Sequence, residues 1–171
     1  MKKETLSLAA CIALFPPLWA VAAPYIGITT GAVALICAGL YVANGNRLRD
    51  AVKISTGFLL GAAWAWLALR IMAAVELNPN VELFCTLFVL GALAVLISAA
   101  LEKWIFCPAW LCGWAIGLTV MTMVQSEEIN SYFLQIAAAM LVGVWYVGAF
   151  LNWIQQKLLK LWQSRAKQQN E

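Results

Sequence analysis

Phe106, Trp110, Gly113, Trp114 and Gly117 fall on one helical face of an apolar stretch, and Thr119 and Thr122, three apart, share a face further along. Bulky rings set among gaps, with hydroxyls beyond them, suit an aromatic constriction in a solute pathway. The same stripe also suits packing or lipid contact. Arg70, near the outer end of the third apolar stretch, and Asn152, at the inner end of the sixth, place polar groups at opposite mouths, as a vestibule would need. A long stem snorkelling to the interface accounts for Arg70 equally well. Thr29, Thr30, Ser55, Thr56, Thr86 and Ser98 are further neutral polar groups within apolar stretches. Such hydroxyls can bond a small uncharged solute, but more commonly they bond back to a carbonyl or join neighbouring helices.

Other chemistries are poorly provided for. The chain has no His, and no Asp or Glu falls in the middle of an apolar stretch, so a proton relay of the usual kind is not expected. Without His or a paired-carboxylate site, nucleophilic and acid–base constellations cannot be assembled, and we expect no enzyme, no catalytic residues and no cofactor. Cys11, Cys37, Cys85, Cys107 and Cys112 all lie in apolar stretches, where Cys acts as a small hydrophobe; neither a disulfide framework nor a metal site is suggested. The net charge of +3 comes from residues beside stretch ends, where topology and anionic lipid explain them without nucleic acid.

The elements that must position these residues follow from hydropathy. With 64% hydrophobic and 11% charged residues, the chain lies far from the soluble average of about 25% charged. Apolar stretches at 5–23, 26–43, 51–74, 83–100, 104–124 and 131–154 each match the roughly 20 residues a helix needs to cross a bilayer. If Lys2 and Lys3 are cytoplasmic, six crossings bring Arg47, Arg49, Lys53, Lys103, Lys157, Lys160, Arg165 and Lys167 to the same side. Glu76, Glu82, Glu127 and Glu128 then lie outside with Arg70, which is the asymmetry of the positive-inside rule. The expectation is an all-α, single-domain membrane protein over 1–171, with six transmembrane helices and both termini cytoplasmic. Ala20-Val21-Ala22 resembles a signal-peptide cleavage site, but Pro16 and Pro17 interrupt the apolar region before it, and we expect no cleavage. The same prolines remove two backbone donors in the first span, which predicts either a kink satisfied by neighbouring hydroxyls or a helix break whose free carbonyls accept from a passing solute.

Sliding the chain on itself by 82 positions superposes spans 1–3 on spans 4–6 and pairs Gly61 with Gly143. Three spans per unit is odd, so the second copy enters from the opposite side; Arg47 and Arg49 after span 2 answer to Glu127 and Glu128 after span 5. This predicts a three-plus-three inverted-topology repeat, with units of about 1–82 and 83–164. Gly27 and Gly31, Gly57 and Gly61, Gly113 and Gly117, and Ala139 and Gly143 are spaced by four and are expected to pack helices closely. Beyond span 6, a basic amphipathic segment at about 155–169 carries Lys157, Lys160 and Lys167 opposite Leu158, Leu161 and Trp162 and suits the inner leaflet or a partner protein.

The run Ile28-Thr29-Thr30-Gly31 through Tyr41, the stretch Ile54 to Trp66 with Gly57 and Gly61, and Cys107-Pro108-Ala109-Trp110-Leu111-Cys112-Gly113-Trp114 together resemble the family called domain of unknown function 1097. The resemblance implies a small bacterial inner-membrane protein with a glycine-rich second helix and a proline-led fifth. It implies no activity. Pro16-Pro17 ahead of Trp19, and Ala109 after Pro108, depart from its pattern. The expected function is a channel or facilitator for a small, mostly uncharged solute, embedded in the lipid bilayer as a homo-oligomer. The alternative is a scaffold or regulator acting through helix faces and the basic tail.

Overall fold

Every apolar stretch contains a helix, but the helices differ sharply in length. The computed structural model describes residues 3–75 and 78–168, with side chains from Leu6 to Leu161 except Leu8 and the undescribed 76–77. Helix α1 is Lys3–Ala22, followed by a 3-10 turn at Ala23–Ile26; α2 is Val33–Ala43, α3 Leu48–Ala74, α4 Pro79–Ala100, and α5 Cys107–Met121. Helix α6, Ile129–Val142, runs through a π-helical segment, Gly143–Phe150, into α7, Leu151–Gln168. Four stretches are long and apolar enough to cross a membrane: Ala9–Ile26, Leu48–Ala74, Pro79–Ala100 and Ile129–Leu161. This is a membrane-embedded, all-helical protein among its described residues.

Helices α2 and α5 are the exceptions, with 11 and 15 residues. At 1.5 Å per residue they reach only about 16 and 22 Å, short of the roughly 30 Å hydrocarbon thickness. The second span expected from residue 26 therefore starts its helix at Val33. Gly27 explains the difference: at φ +79° it takes the left-handed conformation that closes the 3-10 turn, and its N–H bonds to the Pro24 carbonyl at 3.0 Å. A β-carbon on Gly27 would meet nothing within 4 Å, so Gly27 turns the chain and does not pack helices, contrary to expectation.

Pro16 and Pro17 do not end α1, which continues through both to Ala22, so of the two alternatives the broken helix does not form there. The interruption comes later, at residues 23–32. The basic tail is helical as expected, but it follows α6 and the π-helical segment with no interruption in the helical residues; Trp162, Arg165 and Lys167 lie outside the described side chains, and Glu76 outside the described residues. Elsewhere the local signals act as written. Pro79 and Pro108 open α4 and α5, where the missing N–H is no loss, and the Asn78 side chain caps α4 by accepting from the Asn80 N–H at 3.1 Å.

Two tight helix crossings hold the centre. In the first, α3 lies against α5: a β-carbon on Gly57 would stand 2.6 Å from the Phe106 carbonyl oxygen, and one on Gly61 would overlap the Trp110 carbonyl oxygen. Gly113 answers from the other side, against the Phe58 backbone, and Gly117 against Ala65. In the second crossing, Gly143 lies on the Ala34 carbonyl and Cys37, and Gly148 on the Tyr41 ring. Absent side chains let backbones approach, the packing mode expected where lipid competes with side chains for apolar contact. Ala139, four residues before Gly143, is fully buried.

A file of cavities beside the second helix

The aromatic stripe on α5 is an interior seam. Trp110 is 1% exposed, edge-on to Trp64 at 5.1 Å, in a cluster with Ala94 and Ile105, and Trp114 stands against Gly91 of α4. Thr119 and Thr122 are exposed, and their hydroxyls bond back to the Ala115 and Leu118 carbonyls at 2.8 and 2.7 Å. Trp110 and Thr119, nine residues apart, occupy opposite sides of a helix turning about 100° per residue. The four residues therefore do not share one wall. Arg70 lies at the other end of the molecule from Asn152, with its guanidinium 5.2 Å from the Trp66 ring, while the Trp66 indole donates to Asn130 at 2.9 Å. Asn152 donates to the Asn46 carbonyl at 3.1 Å.

Three cavities instead follow one another along α2, on the side of α1 and the π-helical segment. A first cavity of about 180 Å³ lies among Pro16, Trp19, Thr29, Gly31 and Val147. A second, of about 190 Å³, shares Pro16, Leu35 and Val147 with the first and continues past Gly39 to Asn46. A third, of about 660 Å³, takes Asn46 as its inner wall and opens between Arg47, Arg49, Asn152 and Gln156. Shared residues thus link the three in file from Thr29 to Asn152.

Each end of the file is shaped by irregular backbone with named partners. At the first, the Trp19 indole donates to the Gly31 carbonyl at 3.0 Å, and both the N–H and the hydroxyl of Thr29 donate to Gln135 Oε1, at 3.0 and 3.1 Å. These bonds, with Ile28 N–H to the Ala23 carbonyl, satisfy groups that the interrupted helix leaves open. At the other end, Gly45 and Asn46, at φ +90° and +57°, turn α2 into α3, and Asn152 secures that turn. Along the side runs the π-helical segment, a form that concentrates at functional sites.

The family model described as protein of unknown function (DUF1097) matches residues 9–156. The chain belongs to the DUF1097 family. No curated protein and no solved structure matches it. The matched region of this DUF1097 chain takes in every residue lining the three cavities. Of those residues, Asn152 figures among the pore candidates read from the sequence, and Thr29 among the hydroxyls able to bond a solute. Trp19, Tyr41, Asn46 and Gln135 were missed. Gln135 offered a signal, an amide inside an apolar stretch, whereas the roles of Trp19 and Tyr41 depend on neighbours distant in sequence.

Proposed function

We propose that this DUF1097 protein is a facilitator for small, mostly uncharged solutes in a bacterial inner membrane, and that the solute passes along α2 between α1 and residues 143–150. It is not an enzyme. The observation that carries the reading is the file of cavities joined through Pro16, Leu35, Val147 and Asn46. Its two narrower chambers of about 180 and 190 Å³ exceed the roughly 30 Å³ that one water occupies in the liquid, leaving room for a urea- or glycerol-sized solute. Their lining is mainly apolar, with hydroxyl and amide groups at the ends, which disfavours ions. Irregular backbone at membrane depth beside a cavity, as at residues 27–32, is the usual setting of a solute site.

In this reading the chain crosses six times with both termini on the basic side, and α2 and α5 are the short members of a three-plus-three inverted repeat. The crossed packing supports it: Gly61 of the first unit lies on Trp110 and Gly113, and Gly143 of the second lies on Ala34 and Cys37. An offset of 82 relates the two glycines, but 76 relates Ala34 to Trp110 and Cys37 to Gly113, so an insertion before α6 explains why few identities survive without gaps.

The test is swelling of liposomes containing the purified protein in urea and glycerol gradients. Gly39 lines the middle chamber, and a β-carbon there meets nothing within 4 Å, so Gly39→Leu places an isobutyl group in the path without disturbing a seam. Wild-type vesicles should swell faster than empty ones, and Gly39→Leu should abolish the gain. Wild-type vesicles that match empty ones across the panel would transfer the reading to a scaffold acting through the basic face of α7.

A further inference from the structure

The wide third cavity has a chemistry that a neutral solute does not require. Its walls carry two guanidinium groups, Arg47 and Arg49, and two amides, Asn152 and Gln156, around Asn46. Asp50 holds one edge of Arg47, Nε to carboxylate at 2.9 Å, which leaves the outer nitrogens to another acceptor; Arg49 is only marginally engaged, at 4.0 Å. Behind them stands Tyr41, fully buried, whose hydroxyl has no hydrogen-bond partner among the described residues. Its ring is fixed against Gly148, where any side chain would collide with it. A buried hydroxyl without a partner is costly and calls for an acceptor from elsewhere.

We propose that this cleft binds a phosphate-class anion, with Arg47 and Arg49 supplying charge and forked donors and the Tyr41 hydroxyl supplying a neutral donor at the back. Guanidinium pairs suit phosphate because their N–H groups match its oxygens two at a time. The cleft lies at the end of the molecule that also bears Lys53, Lys103 and Lys157, so the field there attracts anions. Its position at a helix-bundle end suits a phospholipid headgroup; free phosphate presents the same oxygens. The site is independent of whether solutes move along α2.

The test measures binding of two probes to the full-length protein in phosphatidylcholine nanodiscs: a fluorescent phosphatidylglycerol, and inorganic phosphate followed by calorimetry. Wild type should bind at least one saturably. Tyr41→Phe removes only the hydroxyl and should weaken binding by roughly tenfold, as expected for a hydrogen bond to a charged group. Arg47→Gln should weaken it at least as much, and Lys103→Gln, at the same end but outside the cleft, should leave it unchanged. Tighter capture of the lipid names the headgroup as the source, and comparable capture of phosphate names the free anion; both uphold the site. Should Tyr41→Phe unfold, Arg49→Gln and Lys103→Gln decide the matter, because both side chains are exposed. Equal binding by the cleft variants and Lys103→Gln, or no saturable binding of either probe, would overturn the proposal.

Discussion

Adding one methyl group at Gly61 should destabilise the protein, although alanine is the better helix former. An ideal β-carbon there overlaps the Trp110 carbonyl oxygen and stands 2.6 Å from the Trp114 nitrogen and 2.8 Å from the Gly113 carbonyl carbon. All three are backbone atoms of α5, so no side-chain rotation relieves the contact. Reaching ordinary van der Waals separation requires α3 and α5 to part by roughly 1 Å, and gaps of 0.5–1 Å forfeit about a quarter to a half of each dispersion contact across the seam. Overpacking of this kind costs about 1–3 kcal/mol, against a propensity gain of about 1 kcal/mol for Gly to Ala in a helix. The net loss is about 0–2 kcal/mol, or up to some 8 °C in Tm for a chain of this size. Gly39→Ala supplies the control, because it is helical with open space around it and should leave Tm unchanged or raise it by a few degrees. Thermal unfolding in detergent, followed by tryptophan fluorescence, reads both. A Gly61→Ala variant at least as stable as wild type would refute the α3–α5 seam.

Trp64→Phe should cost about 1 kcal/mol, since its indole donates to the Leu90 carbonyl at 2.9 Å, whereas Trp110→Phe discards an N–H with no partner and should cost less per atom removed; paired unfolding curves compare them. Gln135→Leu removes the acceptor of two Thr29 bonds and should speed hydrogen exchange at the Thr29 amide by about tenfold while amides in α3 stay protected. Single cysteines at Asn80 and Ser126, in a variant lacking the native five, should react with an impermeant thiol reagent in intact cells, and one at Asn46 should not; labelling at Asn46 would reverse the proposed orientation.

Hydropathy made the helices legible because burial in lipid acts on every residue of a span, so the signal accumulates over about twenty positions. The glycine seams were legible for a related reason: spacing by four is a local property, and Gly57, Gly61, Gly113 and Gly117 all meet backbone or β-carbons closely. Gly27 and Gly31 show the limit of that signal, since the same spacing also occurs where a helix stops. At Gly27 the left-handed φ marks the difference, and it is set by the turn closing on Ala23 and Pro24. The stripe on α5 was visible as a face, but whether that face meets solute or α3 depends on residues fifty positions away. The cavities were hidden more deeply, because Asn46 and Asn152 meet across 106 positions and the π-helical segment has no side-chain period to betray it.

The crossed seams also set a timetable for assembly. Ala34 and Cys37 must wait for Gly143, about a hundred residues downstream, before their tight contact can form. At roughly 5–20 residues per second, the ribosome takes about 5–20 s to deliver it. During that interval α2, too short to span alone, has its later partner missing, while α3 meets α5 sooner. The N-terminal half is therefore the part most dependent on the insertion machinery, and separating the halves into two polypeptides would leave each with a glycine face and nothing to close against it.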